Sequence, residues 1–179
     1  MANNNKHVLI VDDDRQVRDV LHEIFLSNGY KCQVATDGRE GLEAFEMTRP
    51  LLTVTDVKMP VMDGLEFLKA VRKLDPDAAV IMLTGVGDMK TAIESLKVGA
   101  YDFIIKPVNI DELIIAAERA VERRHLLIER REYQTALERR VEEATRDLTL
   151  ALRELQDTYR VTLEALGSAL DTQIGRAHV

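Results

Sequence analysis

The 179-residue chain has no tryptophan, one cysteine and four prolines. A single cysteine excludes an internal disulfide. Cys32, inside the apolar run CQVA, reads as a small buried hydrophobe. The chain also lacks any basic excess: its net charge is −7, which leaves no electrostatic footprint for nucleic acid. No apolar run approaches the roughly 18 residues that span a bilayer, and the opening MANNNKH has no charged-then-apolar targeting pattern. These absences predict a cytoplasmic protein with neither a nucleic-acid nor a membrane partner. With 46% hydrophobic residues but only 4% aromatics, its core is expected to be aliphatic.

Short apolar runs end on polar residues. HVLIV runs into Asp12-Asp13, LLTVT into Asp56, AVIML into Thr84, and YDFII into Lys106-Pro107. Because these runs are continuously apolar, each reads as a strand buried on both faces. Helical patterns alternate with them. One spans about Asp14 to Ser27, with Val17, Val20, Leu21, Ile24 and Phe25 on one face. The next opens at Asp37, with Glu40 at capping-box spacing, and ends at Pro50. Leu65, Leu68, Ala70 and Val71 mark a third, and Met89, Ile93 and Leu96 a fourth that stops at Gly99. Five βα units in succession specify an α/β fold, a doubly wound five-stranded parallel sheet, over residues 6–124.

Beyond Ile110 the texture changes, with neither glycine nor proline between Val108 and Leu166. Leu137, Val141, Ala144, Leu148, Ala151 and Leu155 follow a heptad seam. The spacing predicts a long C-terminal helix whose residues 125–160 form a coiled-coil linker and pair two chains into a homodimer. Residues Glu129 to Gln134 are poorly apolar, so the seam is expected to be interrupted there.

In an open parallel sheet the carboxyl ends of the strands line one crevice. The strand-end residues would therefore bring three carboxylates, a hydroxyl and an ammonium together. Two carboxylates about 4 Å apart repel by roughly 4 kcal/mol at an effective dielectric near 20, so such a cluster needs a compensating cation. Hard oxygen ligands suit Mg²⁺. With Asp56 as a nucleophile, the set has the parts for accepting a phosphoryl group.

In order and spacing, VLIVDDD, VTDVKMPVMDG, MLTG and GAYDFIIKP closely resemble the receiver domain of two-component response regulators, a flavodoxin-like fold. The resemblance implies that Asp56 is the phosphoacceptor and that Asp12, Asp13, Asp56 and the Lys58 backbone carbonyl hold Mg²⁺. It implies that Thr84 and Lys106 read the phosphoryl group and that the Lys106-Pro107 bond is cis. Phe103 falls at the aromatic switch position, where it would act by packing alone. A sensor histidine kinase is the implied partner.

The stretch from Ala136 to Thr172 looks like the linker and first helix that precede an HD-GYP domain, a cyclic di-GMP phosphodiesterase. Residues 161–173 would be that first helix, with the output itself absent: no His-Asp pair or Gly-Tyr-Pro motif occurs, and His178 lacks the flanking residues of a metal ligand. No complete enzyme is therefore expected here. The final IGRAHV matches the translation of a common sequencing-adapter string, so residues 174–179 are expected to be non-native. The other reading of the tail is a stand-alone receiver with a dimerising helix.

Overall fold

The computed structural model describes the backbone of residues 6–176 and the side chains of residues 6–167. Five strands alternate with five helices: β1 (His7–Val11), α1 (Arg15–Ser27), β2 (Lys31–Ala35), α2 (Gly38–Thr48), β3 (Leu52–Asp56), α3 (Gly64–Leu74), β4 (Val80–Thr84), α4 (Met89–Val98), β5 (Asp102–Ile105) and α5 (Ile110–Arg176). All strand pairs are parallel, in the order β2-β1-β3-β4-β5. The expected doubly wound sheet is present, and the chain reverses its direction of travel across the sheet between β1 and β3.

Period-two alternation distributes each central strand between two cores. Val8 and Ile10 of β1 join Leu52, Val54, Ile81 and Leu83 in a layer covered by α1 and α5. Leu9 and Val11 face the other way, with Val80 and Met82, under Phe45 of α2 and Phe67, Leu68 and Val71 of α3. This explains the continuous apolar runs of β1, β3 and β4. The same expectation fails for β5, which is an edge strand with Ile105 exposed.

The helix starts use aspartate. Asp14, Asp37 and Asp63 occupy extended N-cap conformations and accept backbone N–H bonds from α1, α2 and α3. The capping box expected at Asp37 is incomplete, because the Glu40 carboxylate accepts from the N–H and hydroxyl of Thr36 instead. The complete box is Asp63 with Glu66 on α3. On α1 the expected apolar face is narrower, since Val20 is exposed. On α4, Met89, Ile93 and Leu96 are exposed, and Ala92 and Ser95 are buried in their place. Cys32 is half-buried, and burial pushes its thiol pKa up, in keeping with a packing role.

The chain divides into two compact units, one reaching Glu129 and the other starting at Arg130. In the first, α5 buries Leu113, Ala116, Ala117 and Ala120. Near its end the buried Arg124 guanidinium lies 2.6 Å from an Asp75 carboxylate oxygen and donates at 3.3 Å to the Asp77 carbonyl. In the second unit every described side chain is exposed, Leu137, Val141, Leu148 and Leu155 of the seam included. The helix runs unbroken through residues 129–134, so the weak seam there does not interrupt the backbone. It also continues through 161–173 to Arg176, and the last three residues of the expected non-native tail lie outside the described residues.

Replacing Arg124 with methionine keeps the volume but leaves Asp75 without its cation, and should lower stability by about 2 kcal/mol in urea unfolding. The loss should shrink markedly when Asp75→Asn is already present, as a double-mutant cycle would record.

Candidate functional site

The carboxyl ends of β1, β3, β4 and β5 meet at one edge. Asp12 follows β1 and extends its ladder, donating its N–H to the Ala35 carbonyl at 3.2 Å. Asp56 ends β3, in register with Leu83, and Thr84 ends β4 beside Ile105. Lys106 is tied down by its own backbone, whose N–H donates to the Thr84 carbonyl at 2.7 Å. The peptide between Lys106 and Pro107 is cis, as expected.

The side chains converge. Lys106 Nζ lies 2.8 Å from Asp12 Oδ2 and 3.0 Å from Asp56 Oδ1. Oxygens of Asp12, Asp13 and Asp56 fall within 4.8 Å of one another. Asp12 is fully buried and Asp56 nearly so, while Asp13 is exposed. The Asp12 carboxylate also accepts the N–H of Asp14 at 2.8 Å, and its main-chain carbonyl accepts from the Arg18 guanidinium at 2.6 Å. Burial pushes the Asp56 carboxyl above its ordinary pKa; Lys106 opposes that rise and Asp12 adds to it. Burial alone would lower the Lys106 ammonium, but its hydrogen bonds to Asp12 and Asp56 outweigh burial and hold its pKa up.

Three carboxylates against one ammonium leave excess negative charge at a partly buried edge. That imbalance, on closely spaced hard oxygens, fits a divalent cation, so the acidic cluster could bind a metal. Thr84 is buried, and its hydroxyl makes only a long 3.3 Å bond to the Gly85 carbonyl, which leaves it able to turn toward an incoming oxygen. Phe103, three residues before Lys106, is half-buried against the α2/α3 layer.

The loop after β3 is shaped by two backbone constraints. Val61 sits at φ 69°, in the left-handed region that a β-branched residue rarely adopts, and the Met62 N–H closes a tight turn onto the Pro60 carbonyl at 2.7 Å. Gly64 opens α3 against the backbone of Asp56 so closely that a Cβ would run into the Asp56 carbonyl. The Lys58 side chain is drawn away from the acidic cluster to Asp88, at 2.6 Å. The sequence reading did not anticipate Asp88, nor Arg18; the signal available for Asp88 was its place before α4, matching the aspartates before the other helices.

Residues 8–118 match the family model described as the response regulator receiver domain. The chain is 36% identical over 130 residues to the regulatory protein AtoC of Escherichia coli K12, covering 73% of this chain but 28% of AtoC. It is 36% identical over 115 residues to the chemotaxis protein CheY of Thermotoga maritima, covering 64% of this chain and 96% of CheY. The receiver domain of NtrX from Brucella abortus superposes with a TM-score of 0.62 at 37% identity, over 64% of this chain and 98% of that one. The fold and the edge of acids define a doubly wound α/β signalling module. The chain belongs to the response regulator receiver family, the two-component partners of histidine kinases. Among the described residues no helix is long and apolar enough to cross a membrane.

Gly64→Ala would force the start of α3 away from Asp56. It should cost more than about 2 kcal/mol in chemical denaturation, well beyond the roughly 1 kcal/mol or less of a glycine-to-alanine change without a clash.

Proposed function

We propose that Asp56 accepts a phosphoryl group from the phosphohistidine of a sensor kinase. The observation that carries this reading is the Lys106 ammonium held between Asp12 and Asp56 at 2.8 and 3.0 Å, beside Asp13. An oxygen of Asp56 forms the new bond to phosphorus as the bond to the donor imidazole nitrogen breaks, and the nitrogen keeps the electron pair. Lys106 offers its charge to the phosphoryl oxygens, and the Thr84 hydroxyl donates to one of them. Asp12, Asp13, Asp56 and the Lys58 main-chain carbonyl would hold Mg²⁺. When bound, this ion supplies positive charge that offsets the phosphoryl oxygens. Phe103 then repacks as the Thr84 hydroxyl turns, passing the change toward α4 and β5.

The exposed seam from Leu137 to Leu155 supports pairing of two copies through α5. For the output, the chain spans only 28% of AtoC, so the activity of a longer parent is itself a proposal. The resemblance of residues 161–173 to the first HD-type helix points to a cyclic di-GMP phosphodiesterase. None of the three relatives above carries that name, and other curated relatives are transcriptional regulators, among them DctD of Rhizobium meliloti. In both cases a receiver relays its state to a separate output, and the gene sequence around this segment decides between them.

Incubation with acetyl phosphate and Mg²⁺ should place an alkali-labile phosphate on the chain. Asp56→Asn should abolish it, and chelation should suppress it; labelling that survives Asp56→Asn would sink the proposal. Mg²⁺ alone should raise the unfolding midpoint by mass action, and Asp13→Asn should remove most of that gain. Light scattering at micromolar concentration should give the mass of two chains, and Leu148→Lys with Leu155→Lys should return it to one.

A further inference from the structure

The start of α4 departs from the pattern of the other helices. Asp14, Asp37, Asp63 and Asn109 each accept backbone N–H bonds at the start of their helix. Asp88 stands at the same position of α4 but makes no capping bond, and its backbone, φ −108° and ψ 22°, lies outside the extended region that caps adopt. Its carboxylate goes to Lys58 Nζ instead, at 2.6 Å. The pair is lopsided, with the Asp88 side chain 16% exposed and that of Lys58 74%. A largely buried carboxylate therefore depends on a cation whose stem is free to move, and the first-turn N–H groups of α4 lack the acceptor standing beside them.

Lys58 is two residues beyond Asp56. It lines one crevice with Asp13 of the acidic cluster and Thr91 of α4. An added phosphoryl group would bring new anionic oxygens into the region that this ammonium can sweep. Resting on the reading of Asp56 as phosphoacceptor, we propose that Lys58 and Asp88 form a latch between the loops after β3 and β4, which phosphorylation opens. Lys58 moves to the phosphoryl oxygens, and the released Asp88 rotates into the extended conformation and caps α4. Gly85 and Gly87, just before it, supply the backbone freedom for that rotation. Asp88 is thus a positioning residue, acting on the phosphoryl site through Lys58 and on α4 through its own carboxylate.

Amide hydrogen exchange at Lys90 and Thr91 in the full chain reads the cap directly. In the wild type, acetyl phosphate with Mg²⁺ should slow that exchange roughly fivefold, the factor a capping side chain is worth. Lys58→Met should give the slowed rate without phosphorylation, whereas Lys58→Arg should keep the wild-type response. Asp88→Asn, which caps but cannot pair as an anion, should be slow in both states, and Asp88→Ala fast in both. Unphosphorylated Lys58→Met exchanging like the wild type would overturn the latch, as would Asp88→Ala still slowing on phosphorylation. The unphosphorylated Lys58→Met arm does not depend on chemistry at Asp56. Mass spectrometry of the treated wild type tests that chemistry separately, so the two ideas can fail independently.

Discussion

One ammonium shared by two buried carboxylates fixes the geometry of this edge. A buried charge persists only when paired, and Asp12, with no exposed surface, has Lys106 as its only cation within salt-bridge distance among the described residues. The two are 94 positions apart, so the pair ties the end of β1 to that of the edge strand β5 in a single contact. The strand order dictates the side chains that can do this. Lys106 ends β5 and must pass over the end of β4 to reach β3 and β1, a span of two to three strand spacings of about 4.8 Å. That distance needs a long flexible stem on one side, and small residues, Thr84 at the end of β4 and Gly85 just after it, lie beneath it. The charge left over, two carboxylates beyond what Lys106 neutralises, sets the edge apart from a closed structural ion pair and fits a divalent cation.

The two walls of the crevice differ in stiffness. After β3 the chain is over-determined: Val61 is held in a strained turn, Gly64 abuts the Asp56 backbone, and Asp63 with Glu66 locks the start of α3. After β4 the loop carries two glycines, and α4 starts without a side-chain cap. A site built this way holds Asp56 fixed opposite a loop with backbone freedom, the division that the proposed switch would need. The exposed apolar residues of α4 follow that loop, so a change at its first turn would act on an exposed surface.

What was legible in the sequence follows from range. Asp12, Asp13, Asp56, Thr84 and Lys106 could be found because each ends a recognisable strand, and parallel topology sends all strand ends to one edge. The edge status of β5 was not legible, since the three consecutive apolar residues Phe103, Ile104 and Ile105 read the same whether one face or both are covered. The partner of Glu40 was missed for a similar reason: spacing puts a carboxylate near the N-cap, but Thr36 competes for it with a hydroxyl as well as an N–H. Lys58 with Asp88 and Arg124 with Asp75 are contacts between separate loops and helices, and no local period encodes them.

The helix α5 poses two different energetic problems along its length. Up to Arg124 its buried apolar residues are mostly alanines packed on the sheet, where small side chains let the helix approach closely and the guanidinium adds a directional bond. Past Glu129 the described side chains are all exposed, and the ion pairs available, such as Arg139 with Glu143 at 3.1 Å, are worth only a few tenths of a kcal/mol each. Good helix formers such as Glu, Arg, Leu and Ala can carry such a segment as a helix. They do not explain why Leu137, Val141, Leu148 and Leu155 recur at heptad spacing, because an isolated helix gains nothing from aligning them. Alignment is useful only when a second seam covers it. The proposal that two receivers pair through this segment therefore rests on the one feature that helix propensity leaves unaccounted for.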